Sequence, residues 1–487
     1  MSKPGIQISG FDMTFEDDRK IGPKDPESPF TILILGNFSG ARTAPGKTCI
    51  DIDRDNFESV LHKLSPELAL PLGGDRNTLL EMHFQNLEDF EPDAIYEKLP
   101  LFSRLRDIRD RLQHADTFTQ AAAELGFRDE TDTTPQFSPP DDSGDLLEAV
   151  VSQTQVSTGV GLQNDLEAYI KNIVAPYSMP KAHPKTEELL ALVDEAIAGQ
   201  MRAILHHPDF QELESHWRSL YMVIRQLDTG ARLRVQILNI TKKDLLQDLI
   251  TNEDIELSPV YKRVVSDASI PGNHPKSLLI GLYAFANNTV DITLLSLMGL
   301  LAQTAQAPFI AAANNRLIHE GDLLATTDDD DWQSTWTEEQ QQQWQQLRLS
   351  SFAENIALVL PRFLLRLPYG KNTLPIEQFE FDEITDDISD RQFLWGNPAM
   401  LAAIVYGQGF SRDGWNMRLP PTQLLDGFPV FAYQEDDEYL ALSCAETLLN
   451  EQGVQKIREL GLSDLRWVKN TDQLLISLRS IRDNRLQ

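Results

Sequence analysis

Three groupings of residues in this sequence have the side chains for chemistry. The first is the segment from Gly40 to Thr48, GARTAPGKT, directly after an apolar β-rich run. A phosphate-binding loop needs four residues between its first glycine and Gly-Lys-Thr, so that successive N–H groups ring the phosphate. Here five residues separate Gly40 from Gly46. The following CIDID alternates like a strand, where a bound phosphate would require a helix N-terminus. The second grouping is His206, His207 and His216 with Glu212. Adjacent histidines point to different faces of a helix, and no H-E-x-x-H or paired-cysteine spacing accompanies them. The third is the acidic run Glu380, Asp382, Glu383, Asp386 and Asp387, which has the groups for acid–base work but the composition of a solvated loop. No G-x-S-x-G nucleophile elbow is present. The expectation is a non-enzyme with no catalytic, cofactor-binding or metal-ligating residues.

Composition narrows the partners. The chain has 487 residues and a formal net charge of −31. A surface that negative repels phosphate backbones, so neither nucleic acid nor an anionic membrane is an expected partner. Its two cysteines, Cys49 and Cys444, form no disulfide framework. The opening MSKPGIQISG lacks the basic-then-apolar pattern of a secretory leader, and no run of about 18 apolar residues spans a bilayer. A cytoplasmic location is expected.

The elements that would position such residues centre on ILHHPDFQELESHWRSL, Ile204 to Leu220. Leu189, Leu190, Val193, Ile197, Met201, Ile204 and Leu205 recur at helical spacing. Pro208 ends that helix near His207, and Asp209 is placed to cap a second one with Phe210, Leu213, Trp217, Leu220, Tyr221 and Ile224 on its apolar face. Before this pair, Ile6, Ile8, Phe11, Met13 and Phe15 alternate as a strand with a bulge at Gly10. Such a terminal strand is free to pair with another sheet edge, its own or a neighbour's. FTILIL, Phe30 to Leu35, predicts a buried central strand. Helices are predicted over 53–68 and 93–112, with a strand over 78–84 between them.

Residues 128–144 are acidic and proline-rich and predict a linker, and DLLEAVVSQT, Asp145 to Thr154, predicts an amphipathic helix. Strands over 232–240, 277–286 and 308–313 alternate with helices over 242–250 and 291–305, as in a sheet covered on both faces. DDDDWQSTWTEEQQQQWQQ, Asp328 to Gln346, is expected to be a solvated insertion. DQLLISLRSI, Asp472 to Ile481, predicts a helical or short element. The fold class is α/β (α+β): two domains with mixed sheets covered by helices, over 1–127 and 231–487. The linker and a helical region over 145–230 lie between them.

Two sets of motifs resemble known families. His207-Pro208, Phe210-Gln211, Leu213-Glu214, Trp217-Arg218 and Leu220 resemble the signature of the large subunit of the type VI secretion contractile sheath. The resemblance continues through Pro271-Gly272, Ile280-Gly281 with Tyr283, and Ala307 to Ile310. It returns over Leu360 to Gly370 (LPRFLLRLPYG), in Phe379, Phe381 and Glu383, and over Leu394 to Ala399. Pro29 to Gly40, Asp53 with Asp55-Asn56-Phe57, and Leu87, Asp89-Phe90 and Pro92-Asp93 resemble the sheath's small subunit.

The resemblance implies a fused small/large-subunit-like sheath component. Its partners would be itself or other sheath subunits, with the inner tube, the baseplate and a Clp-family AAA+ unfoldase as further ones. It implies strand exchange, with Ile6, Ile8, Phe11, Met13 and Phe15 as the donor strand, and it assigns the unfoldase contact to Leu146, Leu147, Glu148, Val150 and Gln153. Phe210, Leu213, Trp217, Arg218, Pro361, Arg362, Arg366 and Trp395 are its core signature. In the family the large subunit runs on past the part matching Gly461 to Ile481, with further exchanged strands, whereas this sequence stops at Gln487. A non-contracting accessory that caps, nucleates or adapts the sheath with the same fold is the alternative.

Overall fold

The structure, a computed structural model, describes residues 5–8, 11–14, 27–40, 48–71, 79–125, 186–251, 254–270, 273–326, 328–385, 388–435 and 438–482. The first region holds β1 (Gly5–Ile8), β2 (Phe11–Thr14), β3 (Phe30–Gly36), β4 (Ile50–Ile52), α1 (Phe57–Leu64), β5 (Glu67–Pro71) and β6 (Leu79–His83). It ends in α2 (Pro92–Lys98), α3 (Pro100–Gln113) and α4 (Ala115–Glu124). The single amphipathic segment expected over 93–112 is thus two helices. Pro100 opens the second, because the residue before a proline is pushed out of helical conformation.

Beyond residue 185 come α5 (Thr186–Leu205), α6 (Pro208–Gln226), β7 (Leu233–Asn239), α7 (Lys242–Ile250), α8 (Pro259–Val264), β8 (Leu278–Phe285), α9 (Thr289–Ala305) and β9 (Phe309–Ala313). They are followed by α10 (Glu338–Leu349), β10 (Ile356–Leu360), β11 (Phe363–Leu364), β12 (Trp395–Gly396), α11 (Ala399–Asp413), β13 (Gln423–Leu425), β14 (Phe431–Glu435) and β15 (Glu438–Leu442). The last elements are α12 (Glu451–Glu459), β16 (Ser463–Trp467) and β17 (Leu474–Ser477).

A nine-stranded mixed sheet organises the molecule, in the order β13-β17-β16-β10-β9-β8-β3-β7-β4. From β16 to β7 neighbouring strands are parallel, and antiparallel β4, β17 and β13 finish the two sides. β3 comes from the first region yet lies inside the sheet, pairing Ile34 with Ile237 of β7 and with Ile280 of β8. One sheet therefore takes strands from both sides of residues 126–185. Alternation along β3 explains the two cores: Phe30, Ile32 and Ile34 point into one cluster with α5, α6 and α11. Leu33 and Leu35 point into the other, with α7, α8, α9, α10 and α12.

Several local expectations change. The strand with a bulge expected over 6–15 is a hairpin, with Ile6 opposite Met13 and Ile8 opposite Phe11; Phe15 lies outside the described residues. His207, not Asp209, is the N-cap of α6: proline at the first helical position moves the cap back, and the His207 ring accepts from Asp209 N at 3.3 Å. Asp472 to Ile481 contributes β17, whose Leu474 and Ile476 are buried in the sheet. The tryptophan-bearing insertion packs down. Trp344 is buried and donates from Nε1 to Leu460 O at 3.1 Å, with Trp336 edge-on at 5.8 Å. Trp332 and Trp336 are half-buried against the same core, and Asp329 is buried beside them with Lys456 at 3.0 Å as its counter-charge.

Candidate functional site

The seam between the two regions forms around α6. Pro208 starts the helix, and its 19 residues put Phe210, Leu213, Trp217, Leu220 and Ile224 on one buried face. Trp217 donates from Nε1 to Phe38 O at 3.1 Å, and Phe38 and Phe57 meet its ring edge-on at 5.4 and 5.7 Å. Phe210 receives a stacked pair, Phe84 on Phe90 with centroids 4.1 Å apart. His216 lies between strand ends, one ring nitrogen 2.9 Å from Asn37 O and the other 3.3 Å from Leu282 O. At the close of this turn Gly40 has φ +66°, and a Cβ there would lie 2.2 Å from Glu67 O. Only glycine tolerates that approach.

Behind the seam is a buried cluster of charges. Arg366 is 7% exposed; its Nε bonds Glu214 at 3.0 Å and its Nη1 bonds Glu383 at 2.8 Å. Arg218 reaches Glu214 from Nε at 2.7 Å and donates to Tyr369 Oη at 3.0 Å. Tyr369 N in turn donates to Glu383 at 2.7 Å. Two arginines and two glutamates thus cancel in charge. Burial alone would lower Arg366, but Glu214 and Glu383 outweigh it and hold the guanidinium well above its ordinary value. Burial opposes the charge on Glu383 as well; Arg366 outweighs it, with His206 Nε2 3.7 Å away and the Tyr369 N–H bond adding to the effect, and the carboxyl titrates below the usual range. Glu383 is therefore not part of a solvated acidic face. Its neighbours Asp386 and Asp387 lie outside the described residues.

A second cluster closes the other end of the signature. Arg362 follows a cis Leu360-Pro361 bond and binds fully buried Glu446 through Nε at 2.9 Å and Nη2 at 2.6 Å, and Asp390 at 3.0 Å. Its guanidinium lies 5.6 Å from the Trp395 ring, whose Nε1 donates to Asp390 O at 2.7 Å. Ser215 of α6 donates to Trp395 O at 2.7 Å, linking this cluster to the seam.

A cleft of about 590 Å³ opens beside it at the carboxyl ends of β8 and β9. The cations on its walls are engaged: Arg362 with Asp390, Lys242 with Asp291 at 2.6 Å, and Arg316 with Glu320 at 3.9 Å. Among the described residues no group of three or more His, Cys, Asp or Glu side chains could hold a metal ion.

The residues expected as core signature are brought together: Phe210, Leu213, Trp217 and Arg218 on α6 against the loop bearing Pro361, Arg362 and Arg366, with Trp395 beside Arg362. Of the residues expected to form a donor strand, Ile6, Ile8, Phe11 and Met13 sit in the terminal hairpin. Leu146, Leu147, Glu148, Val150 and Gln153 lie outside the described residues, as do positions 41–47 of the near-miss phosphate loop. Sequence reasoning missed Glu446, Asp390 and Tyr369 as partners. The available signal was arginine itself: Arg362 and Arg366 fall in the apolar run LPRFLLRLP, and a buried guanidinium demands counter-charges.

Fold and site together define an α/β scaffold whose charged signature residues are engaged in holding segments together. Residues 187–482 match the family described as VipB, the EvpB/VC_A0108 tail sheath N-terminal domain, and the chain belongs to that family. Residues 3–127 match a second family, described as type VI secretion system, VipA, VC_A0107 or Hcp2. The chain is 30% identical over 293 residues to the type VI secretion system sheath protein TssC1 of Pseudomonas aeruginosa, covering 59% of each. It is 26% identical over 104 residues to the sheath protein TssB1 of the same organism, covering 20% of this chain and 60% of that protein. The chain thus spans about three fifths of the length of the curated relatives it matches. Among the described residues no helix is long and apolar enough to cross a membrane.

Proposed function

We propose that this chain is a structural component of a type VI secretion contractile sheath. It is a single-chain protomer that carries small- and large-subunit-like parts and assembles by strand exchange. The observation that carries the reading is β3. A strand from the VipA-matching part fills an interior place in the sheet of the VipB-matching part, paired on both sides. Function then lies in packing against copies or other sheath subunits in the cytoplasm, with main-chain pairing at sheet edges supplying affinity and no bond made or broken in a substrate. The inner tube and the baseplate are the surfaces such a protomer would meet. A Clp-family unfoldase would take hold at Leu146 to Gln153; pull-down with residues 145–154 deleted tests that contact.

Electron microscopy of the purified chain tests the main reading. Long tubes are the expected result. Discrete monomers or rings would replace it with an accessory that caps, nucleates or adapts the sheath.

A further inference from the structure

β5 and β6 form a two-stranded antiparallel sheet apart from the main one. The β5 side is tied down, with Glu67 N donating to Ser39 O at 3.1 Å. The β6 side is open. Phe84 N donates to Pro66 O, and the register continues with Met82 opposite Leu68 and Leu80 opposite Leu70. Main-chain groups in an antiparallel ladder point alternately toward and away from the partner strand, so those of Leu79, Glu81 and His83 face outward. No strand among the described residues meets them. A groove of about 720 Å³ runs along this edge, with Ile95, Leu99 and Leu101 on its far wall. Leu80 and Met82 are buried beside it while Leu79 is 50% exposed.

An unpaired strand edge with an apolar wall accepts an extended segment whose side chains alternate. β1 has that pattern in Ile6-Gln7-Ile8. It forms with β2 another two-stranded sheet, and such ribbons are marginal in water unless a third strand or a packing face joins them. Among the described residues the two ribbons of one copy are separate sheets, which leaves the outer edge of β1 open to a second copy. Charge selects β1 over β2. Glu81 has no cationic partner among the described residues and would repel Asp12 of β2, whereas β1 is uncharged and follows Lys3 in sequence.

We propose that β1 of one copy adds to the β6 edge of a second copy, joining two ribbons into one four-stranded sheet. Gln7 lies opposite Glu81, and Ile6 and Ile8 fall on the side of Leu80 and Met82. The inference rests on the assembly reading above and names the edge that receives the donor.

The test combines Gln7→Cys with Glu81→Cys in the full chain, with each single variant as control and a short bis-maleimide as cross-linker. A ladder of covalent oligomers in the double variant, absent from both singles, is the expected result. A cross-linked product that stays monomeric overturns the inference. So does an absent ladder when deletion of residues 1–15 still abolishes assembly, because the donor then goes to another edge and the assembly reading survives. If that deletion leaves assembly intact, the donor-strand reading fails and the inference with it.

Discussion

 β3 and β6 belong to the same stretch of chain, with Leu79, the first residue of β6, 43 positions after Gly36, the last of β3, yet their surroundings are opposite. β3 is buried along its whole length and bonded to a strand on each side. β6 alternates exposed and buried, and among the described residues only one of its sides is paired. The difference teaches how one region serves two ends: β3 is committed to the interior that joins the two parts of the chain, while β6 keeps main-chain groups available to the outside. Substitutions at the seam should therefore cost stability, and substitutions at the β6 edge should not.

The largest effect is expected at Trp217, fully buried between Phe38 and Phe57. Trp217→Ala should cost about 3–5 kcal/mol of unfolding free energy. Denaturant titration measures it, and a loss under about 1 kcal/mol would break the claim that the seam holds the regions together. Arg366→Met should come next, at about 3 kcal/mol or more, because it leaves Glu214 and Glu383 buried without their shared counter-charge.

The acid side of the stability curve sharpens the same point. The Glu383 carboxyl titrates lower in the folded chain than unfolded, so the native state binds fewer protons there. Its stabilisation is complete above the ordinary glutamate value of about 4.3 and drains away as pH falls through the lowered one. Glu383→Gln should flatten that limb of the curve, measured as midpoint against pH. The smallest effect is expected at β6: Glu81→Lys should change stability by no more than about 0.5 kcal/mol, and thermal unfolding beside the parent chain checks it.

Much of this architecture was readable from the residues. Phe30 to Leu35 declares a strand buried on both faces, and the apolar spacing from Leu189 to Ile224 declares two helices broken at Pro208. The order of the strands was not readable, because pairing β3 with β7 joins Ile34 to Ile237 across a separation that no local pattern encodes. Leu474 to Ser477 misled because its apolar residues suit either period over so short a span, and the sheet decided it. Glu383 misled because acidic neighbours suggest water, while its actual partners, Arg366 and Tyr369 N, come from a segment 14 to 17 positions earlier. The open edge of β6 was invisible too, since a strand pattern records what a face buries and is silent about which neighbours the main chain finds.

The interior position of β3 has a consequence for how the polypeptide could be divided. A cut anywhere between residues 125 and 186 would sever the covalent thread but leave β3 clasped by β7 and β8. The two fragments should migrate as one species until denatured, and two separate genes encoding them should rebuild the molecule only when both are expressed in the same cell.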